Sequence, residues 1–257
     1  MKFYEIIVAL LIFFMSSCSS KHQIVYLGDS NAFNVDIVNH SNNKNYIEVG
    51  DILKIDVKTI VPEAAVSYNK INVNGVQAQN IDILKLEGYL VDEFKMINYP
   101  VIGAISVDNL TLYDLQNRII NLLVEGEHFS NPSVNVKRLN SKFTILGEVS
   151  VPGTFSYFDD KINIFQALGY AGDLTIFGKR KNITLIREKQ GVRVVHKVDL
   201  TSHDVLEKPY YNLQNNDIII VEPNFSKVKS AGFIGSASTI ASISSILLSV
   251  TLLIINK

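Results

Sequence analysis

Along YIEVGDILKIDVKT, Leu53, Ile55 and Val57 alternate with Lys54, Asp56 and Lys58. That period of two predicts a strand with one buried face. Gly50-Asp51 precede it as a turn, since glycine takes positive φ without strain and aspartate can bond the following backbone. No period is sustained from Val61 to Gln79. GYLVDEFKMINYPVIGAI, Gly88 to Ile105, predicts two or three short strands with Pro100 at an edge and a turn at Gly103. The period then changes. In TLYDLQNRIINLLVEG, Leu112, Leu115, Ile119, Leu122 and Leu123 share one helical face, and Thr111 stands at the N-cap. NPSVNVKRL returns to a strand through Val134 and Val136.

A second unit opens with FTILGEVSVPGTF, where Pro152-Gly153 is a turn between β-prone runs, with Gly153 expected at positive φ. Asn163 and Gln166 are spaced as a cap and its reciprocal partner at the head of a short helix that Gly172 ends. Strands follow at NITLIRE, VRVVHKVDL and DIIIVEP. There is an internal echo: Gly50-Asp51-Ile-Leu-Lys-Ile resembles Asn216-Asp217-Ile-Ile-Ile-Val, each a turn before a strand. The pattern predicts an α+β protein of two small mixed α/β domains, with the stretch from His22 to about Asn45, rich in Asn, Ser and His, as a linker.

Both ends are apolar. Lys2 precedes an uninterrupted apolar run from Ile6 to Met15, then Ser16, Ser17 and Cys18, the only cysteine. This is the layout of an export signal, and the run is short of the roughly 20 residues that a spanning helix needs. A cysteine directly after small residues has the form of a bacterial lipobox, in which Cys18 is acylated and begins the mature chain. The alternative is an ordinary signal peptide with a chance cysteine or a buried free thiol. At the other end, Ser230 to Asn256 carries no charge and is long enough to span a membrane as a helix. Lys227, Lys229 and Lys257 mark its limits. Gly235, Ser238, Ser242, Ser245 and Ser249 are spaced 3, 4, 3 and 4 apart, so a helix gathers them into one stripe, opposite Ile240, Ile243, Leu247, Val250 and Ile254. Such a stripe packs helices closely or lines a pore. A lone lipid-embedded anchor whose serines bond their own carbonyls has the same pattern.

Composition narrows the function classes. The chain is 47% hydrophobic and 19% charged with a net charge of -1, which is globular and unlike a nucleic-acid binder. One cysteine allows no internal disulfide. His196, Asp199, His203 and Asp204 form the densest set of candidate ligands, but their spacing matches no zinc pattern. No phosphate loop, nucleophile elbow or His-Glu-x-x-His is present, so neither cofactor nor catalytic residue is expected. Asp159-Asp160 and Lys179-Arg180-Lys181 read as charged, solvated turns.

YIEVGDILKIDV, NYPVIGAISVDNLTLYDL, FSNPSVNV, ILGEVSVPGTF, IFQALGYAGD, NITLIRE and NNDIIIVEP, in this order and spacing, resemble the bacterial polysaccharide export proteins of the outer-membrane auxiliary, Wza-like family. The resemblance runs from about Tyr46 to Pro223. It implies a signal peptide over 1–17, a lipidated linker over 18–45 and a polysaccharide export domain over 46–139. A soluble-ligand-binding β-grasp (SLBB) domain over 140–224 and a C-terminal transmembrane helix over 225–257 complete the division. It also implies transport without covalent chemistry. Such proteins form homo-oligomeric rings, commonly of eight, whose terminal helices make a barrel through the outer membrane, and the cargo is capsular or extracellular polysaccharide delivered by an inner-membrane copolymerase. Most of the chain would then be periplasmic and lipid-anchored at the outer membrane. The other reading is a structural lipoprotein that scaffolds an export complex without forming the pore. Two departures stand out: Lys95 where the family has glycine, and Asp173 in place of the second glycine of Ala-Gly-Gly. The first predicts a differently shaped turn, while Asp173 tolerates a left-handed backbone.

Overall fold

A computed structural model describes residues 24–28, 44–70, 85, 88–189, 191–230, 242, 244–246 and 249. The predicted signal peptide and Cys18 lie outside these residues, as do Gly235 and Ser238.

The alternating stretch forms β1 (Ile52–Lys58), with Leu53, Ile55 and Val57 buried. Its antiparallel neighbours are β2 (Tyr89–Leu90) and β5 (Ser133–Arg138), giving the order β2-β1-β5. β3 (Met96–Tyr99) and β4 (Gly103–Ser106) make a separate antiparallel hairpin, with Gly103 at φ 91. Lys95 itself adopts φ 56, a left-handed backbone in a position where the family has glycine. Lys95 Nζ reaches Asp108 at 2.7 Å across that turn.

Helix α1 (Leu112–Glu125) starts where the sequence places it. Thr111 Oγ1 accepts from the Asp114 amide and the Asp114 carboxylate accepts from the Thr111 amide, a capping box that satisfies two end donors. Leu115, Ile119 and Leu123 are buried against β1 and β5, while Leu112 and Leu122 flank the core. Together with Ile97 and Ile105 of the hairpin they form one hydrophobic cluster.

A second cluster belongs to the C-terminal half. Its five-stranded sheet has the order β7-β6-β10-β8-β9, formed by β6 (Lys142–Gly147), β7 (Gly153–Ser156), β8 (Ile183–Lys189), β9 (Val192–Val198) and β10 (Ile218–Val221). β10 and β6 run parallel, and the other pairings are antiparallel. Helix α2 (Ile164–Tyr170) has the expected Asn163–Gln166 capping box, and it buries Ile164, Ala167 and Leu168 with Phe143, Ile145, Leu185 and Ile219. Gly172 (φ 68) and Asp173 (φ 71) follow it in the left-handed region. The described chain closes its last continuous run with α3 (Phe225–Ser230).

Among the described residues no helix is long and apolar enough to cross a membrane. The transmembrane helix expected over 225–257 is therefore not seen, and most of that stretch lies outside the described residues.

Gly153 is also not what its sequence suggested. It is the first residue of β7, its φ is not positive, and an added Cβ would meet only Phe155 at 3.9 Å. The constrained glycine is Gly147, at φ 94, where a Cβ would lie 2.0 Å from the Val221 carbonyl oxygen of the parallel neighbour. Gly147→Ala should therefore lower the chemical-denaturation midpoint strongly and Gly153→Ala should barely move it. Asn163→Ala should cost on the order of 1 kcal/mol, the usual loss for a cap.

Candidate functional site

The echo seen in the sequence is a structural device used twice. In residues 48–51 and again in 214–217, the third residue is left-handed, Gly50 at φ 83 and Asn216 at φ 66. The aspartate that follows accepts from the amide three residues back: Glu48 N to Asp51 at 2.9 Å, and Gln214 N to Asp217 at 2.8 Å. Each aspartate heads a strand, and each meets an arginine from the antiparallel neighbour, Arg138 as the last residue of β5 and Arg187 two residues before the end of β8.

Arg138 Nε of β5 lies 2.8 Å from Asp51 Oδ2, while its other nitrogens donate to Tyr46 O and Asn45 Oδ1. Arg187 of β8 grips Asp217 with Nε at 3.0 Å and Nη2 at 2.7 Å, and also donates to Asn212 O. All four side chains are buried, Asp217 completely. Burial pushes both carboxyls upward from the usual carboxylate range, and the guanidinium beside each works against that shift.

One side chain ties the two devices together. Asn215 donates to Asp51 Oδ1 at 3.1 Å and accepts from the Lys142 amide at 3.0 Å. The chain crosses between the two clusters in a few residues, with Leu139 N bonded to Ile52 O and Asn140 bonded to both Ile52 N and Gly50 O. Above this junction opens a cleft of about 1050 Å³ with Asp51, Arg138 and Asn215 among its lining. Basic side chains (Lys44, Lys95, Lys142, Lys189 and Arg193) outnumber Glu48 and Glu188 at its walls. Its described lining includes no serine, threonine, cysteine or histidine, so it offers hydrogen bonds and charge rather than a nucleophile.

The candidate ligand cluster does separate jobs. His196 lies against the Tyr210 ring, and burial, then nearby Arg187, lowers its pKa. Asp199 accepts from the Thr201 amide and hydroxyl, and Asp204 follows the Ser202 cap of a short 3-10 turn. Among the described residues no group of His, Cys, Asp or Glu could hold a metal ion.

Arg180, expected in a solvated turn, is buried instead. It donates to Thr175 O and Gly178 O and lies over the Tyr26 ring. Tyr26 also packs edge-on against Phe165 and donates its hydroxyl to Asp173. Leu27 N donates to Leu200 O at 3.0 Å. The aspartate that departs from the glycine pattern thus fastens the N-terminal segment to the second unit.

Of the predicted stripe, Ser242, Ser245 and Ser249 are helical and exposed. Ser245 Oγ donates to Ser242 O at 2.9 Å and Ser249 Oγ to Ser245 O at 2.8 Å, so both hydroxyls bond the preceding turn.

Residues 39–138 match the family described as polysaccharide biosynthesis/export protein. This stretch is similar to a polysaccharide-export domain. It takes in α1, β1 to β5 and the first buried ion pair, and its end coincides with Arg138. The EPS I polysaccharide export outer membrane protein EpsA of Ralstonia solanacearum is 27% identical over 158 residues, covering 60% of this chain. The chain spans 41% of that relative's length.

The sequence carries a signal of the paired ion bridges in the phase of two strands. Val134, Val136 and Arg138 share one phase of β5, and Ile183, Leu185 and Arg187 share one phase of β8. A charge in the inward phase of a strand needs a buried partner. Asp51 and Asp217 hold the matching phase on β1 and β10. Arg187→Met should cost about 3–5 kcal/mol, because it leaves a buried carboxyl without its cation. Adding Asp217→Leu should recover a substantial part, as read by denaturation followed by circular dichroism. Strictly additive losses would mean that the two side chains are not coupled.

Proposed function

We propose that this chain is an outer-membrane lipoprotein, acylated on Cys18, that oligomerises into a channel for capsular or extracellular polysaccharide. The observation that carries the reading is the export-domain match over residues 39–138, supported by a relative named as an export protein of the outer membrane. Residues 140–224 would be the SLBB-like domain. A mixed sheet with a central parallel pair and α2 packed in its core suits that assignment. Ser230 to Asn256 would be the membrane segment, and an inner-membrane copolymerase would deliver the cargo. The work is passage, so binding must be weak. Side chains that exchange hydrogen bonds with water at little net cost let a sugar chain slide.

The scaffold reading has one observation in its favour: Ser245 and Ser249 already bond carbonyls of their own helix and do not require water. The two readings part on mutation. If Gly235, Ser238, Ser242, Ser245 and Ser249 line a lumen, Ser242→Phe or Ser245→Phe should abolish surface polysaccharide, while Ile243→Phe and Leu247→Phe should leave it nearly intact. A lone anchor should tolerate all four, since Phe partitions well into hydrocarbon. Rings in electron micrographs of the detergent-extracted protein would support the channel, and monomers would favour the scaffold. Mass spectrometry of the mature N-terminal peptide should find a diacyl or triacyl Cys18, and an unmodified cysteine would remove the anchor from the proposal.

A further inference from the structure

The N-terminal segment around Ile24 and the start of α3 meet on one face of the second unit. Ile24 lines a pocket of about 480 Å³ together with Ile176, Phe177 and Phe225. Tyr26 and Leu27 pin the segment there through Asp173, Phe165 and Leu200. Cys18 precedes Ile24 by six positions in the sequence, a reach of about 20 Å even at full extension. At the same place α3 carries Phe225 into the uncharged stretch that begins at Ser230.

The face is apolar and basic at once. Phe225 is 77% exposed and Ile176 60%, with Phe177 and Val228 also exposed. Lys179, paired with Glu222 at 3.0 Å, and Lys181 line the same pocket, and Lys227 Nζ stands 5.4 Å from the Phe177 ring centre and 3.8 Å from Glu148. Exposed phenylalanines on a water-facing surface are unfavourable, and no other described element covers these. Rings ringed by lysines match the boundary of a bilayer, where apolar side chains enter the acyl region and ammonium groups meet phosphates.

We propose that Ile176, Phe177 and Phe225, with Lys179 and Lys181, form a lipid-contacting face that seats the second unit on the membrane holding both chain ends. The inference rests on the membrane-anchored reading above. It adds that the folded unit itself touches lipid, so that the tether and the terminal segment enter one bilayer side by side.

The chain has no tryptophan, so a single introduced one is a clean reporter. Full-length Phe177→Trp, Phe225→Trp, Phe94→Trp and Ile246→Trp are reconstituted separately in phosphatidylethanolamine–phosphatidylglycerol vesicles containing brominated lipid. Phe94 is exposed in the first unit and serves as the distant control. Ile246 lies in the uncharged stretch and reports its insertion. Emission from the Phe177→Trp and Phe225→Trp proteins should be quenched about twofold or more beyond that of Phe94→Trp, as expected for rings at the headgroup–acyl boundary. Quenching at position 246 without quenching at 177 and 225 would overturn the proposal and leave the anchor standing. Protection at 177 and 225 from both brominated lipid and aqueous iodide would mean that a second copy covers the face, and would overturn it too. Absence of quenching at all four positions would sink the membrane reading itself.

Discussion

Two buried carboxylate–guanidinium pairs hold the entrances to the two central strands, and much of the rest is arranged around them. An aspartate at the head of a strand bends back to accept from its own turn, and an arginine of the neighbouring strand meets it in the same inward phase. Neither charge could stay in a low-dielectric interior alone. Each therefore fixes the other's strand in register: Leu53 stands opposite Arg138 and Ile218 opposite Ile186. A slip of one residue would turn the arginine to the wrong face and strand the aspartate. The apolar clusters supply the driving force, and the ion pairs select which pairing receives it.

The same groups decide how the two units meet. Asp51 belongs to the first unit, but one of its oxygens is satisfied by Asn215 from the loop that positions Asp217. The linker is short and bonded at Leu139 and Asn140, so few degrees of freedom remain at the junction. The cleft above it is polar and mostly basic, with arginine and aspartate consumed in holding the walls. Elsewhere on the second unit, Tyr26 is bonded to Asp173, and Ile24 and Phe225 line one pocket. The loops there are shaped by left-handed residues at Gly172 and Asp173.

Local pattern was enough for the elements. Period two marked β1 and β5, period 3.6 marked α1, and the spacings Thr111–Asp114 and Asn163–Gln166 hold both capping boxes, although only the second box and the Thr111 cap were read in full. These signals are legible because each depends on residues a few positions apart. Turn glycines were harder. Gly153 follows a proline and looks like a turn residue, whereas Gly147, inside a strand-like run, carries the constraint, because a strand from elsewhere in the chain passes too close for any side chain.

The amino-acid sequence by itself determined the alternation of strands and helices, the capping spacings and the order of motifs. Only the tertiary structure decided that Arg138 and Asp51, and Arg187 and Asp217, are partners, that Arg180 is buried beneath Tyr26, and that Ile24 and Phe225 line one pocket. The reason is distance along the chain. Asp51 and Asn215 are 164 residues apart and Tyr26 and Asp173 are 147 apart, so each pairing exists only after the sheets have chosen their neighbours, and no local period encodes which neighbour is chosen.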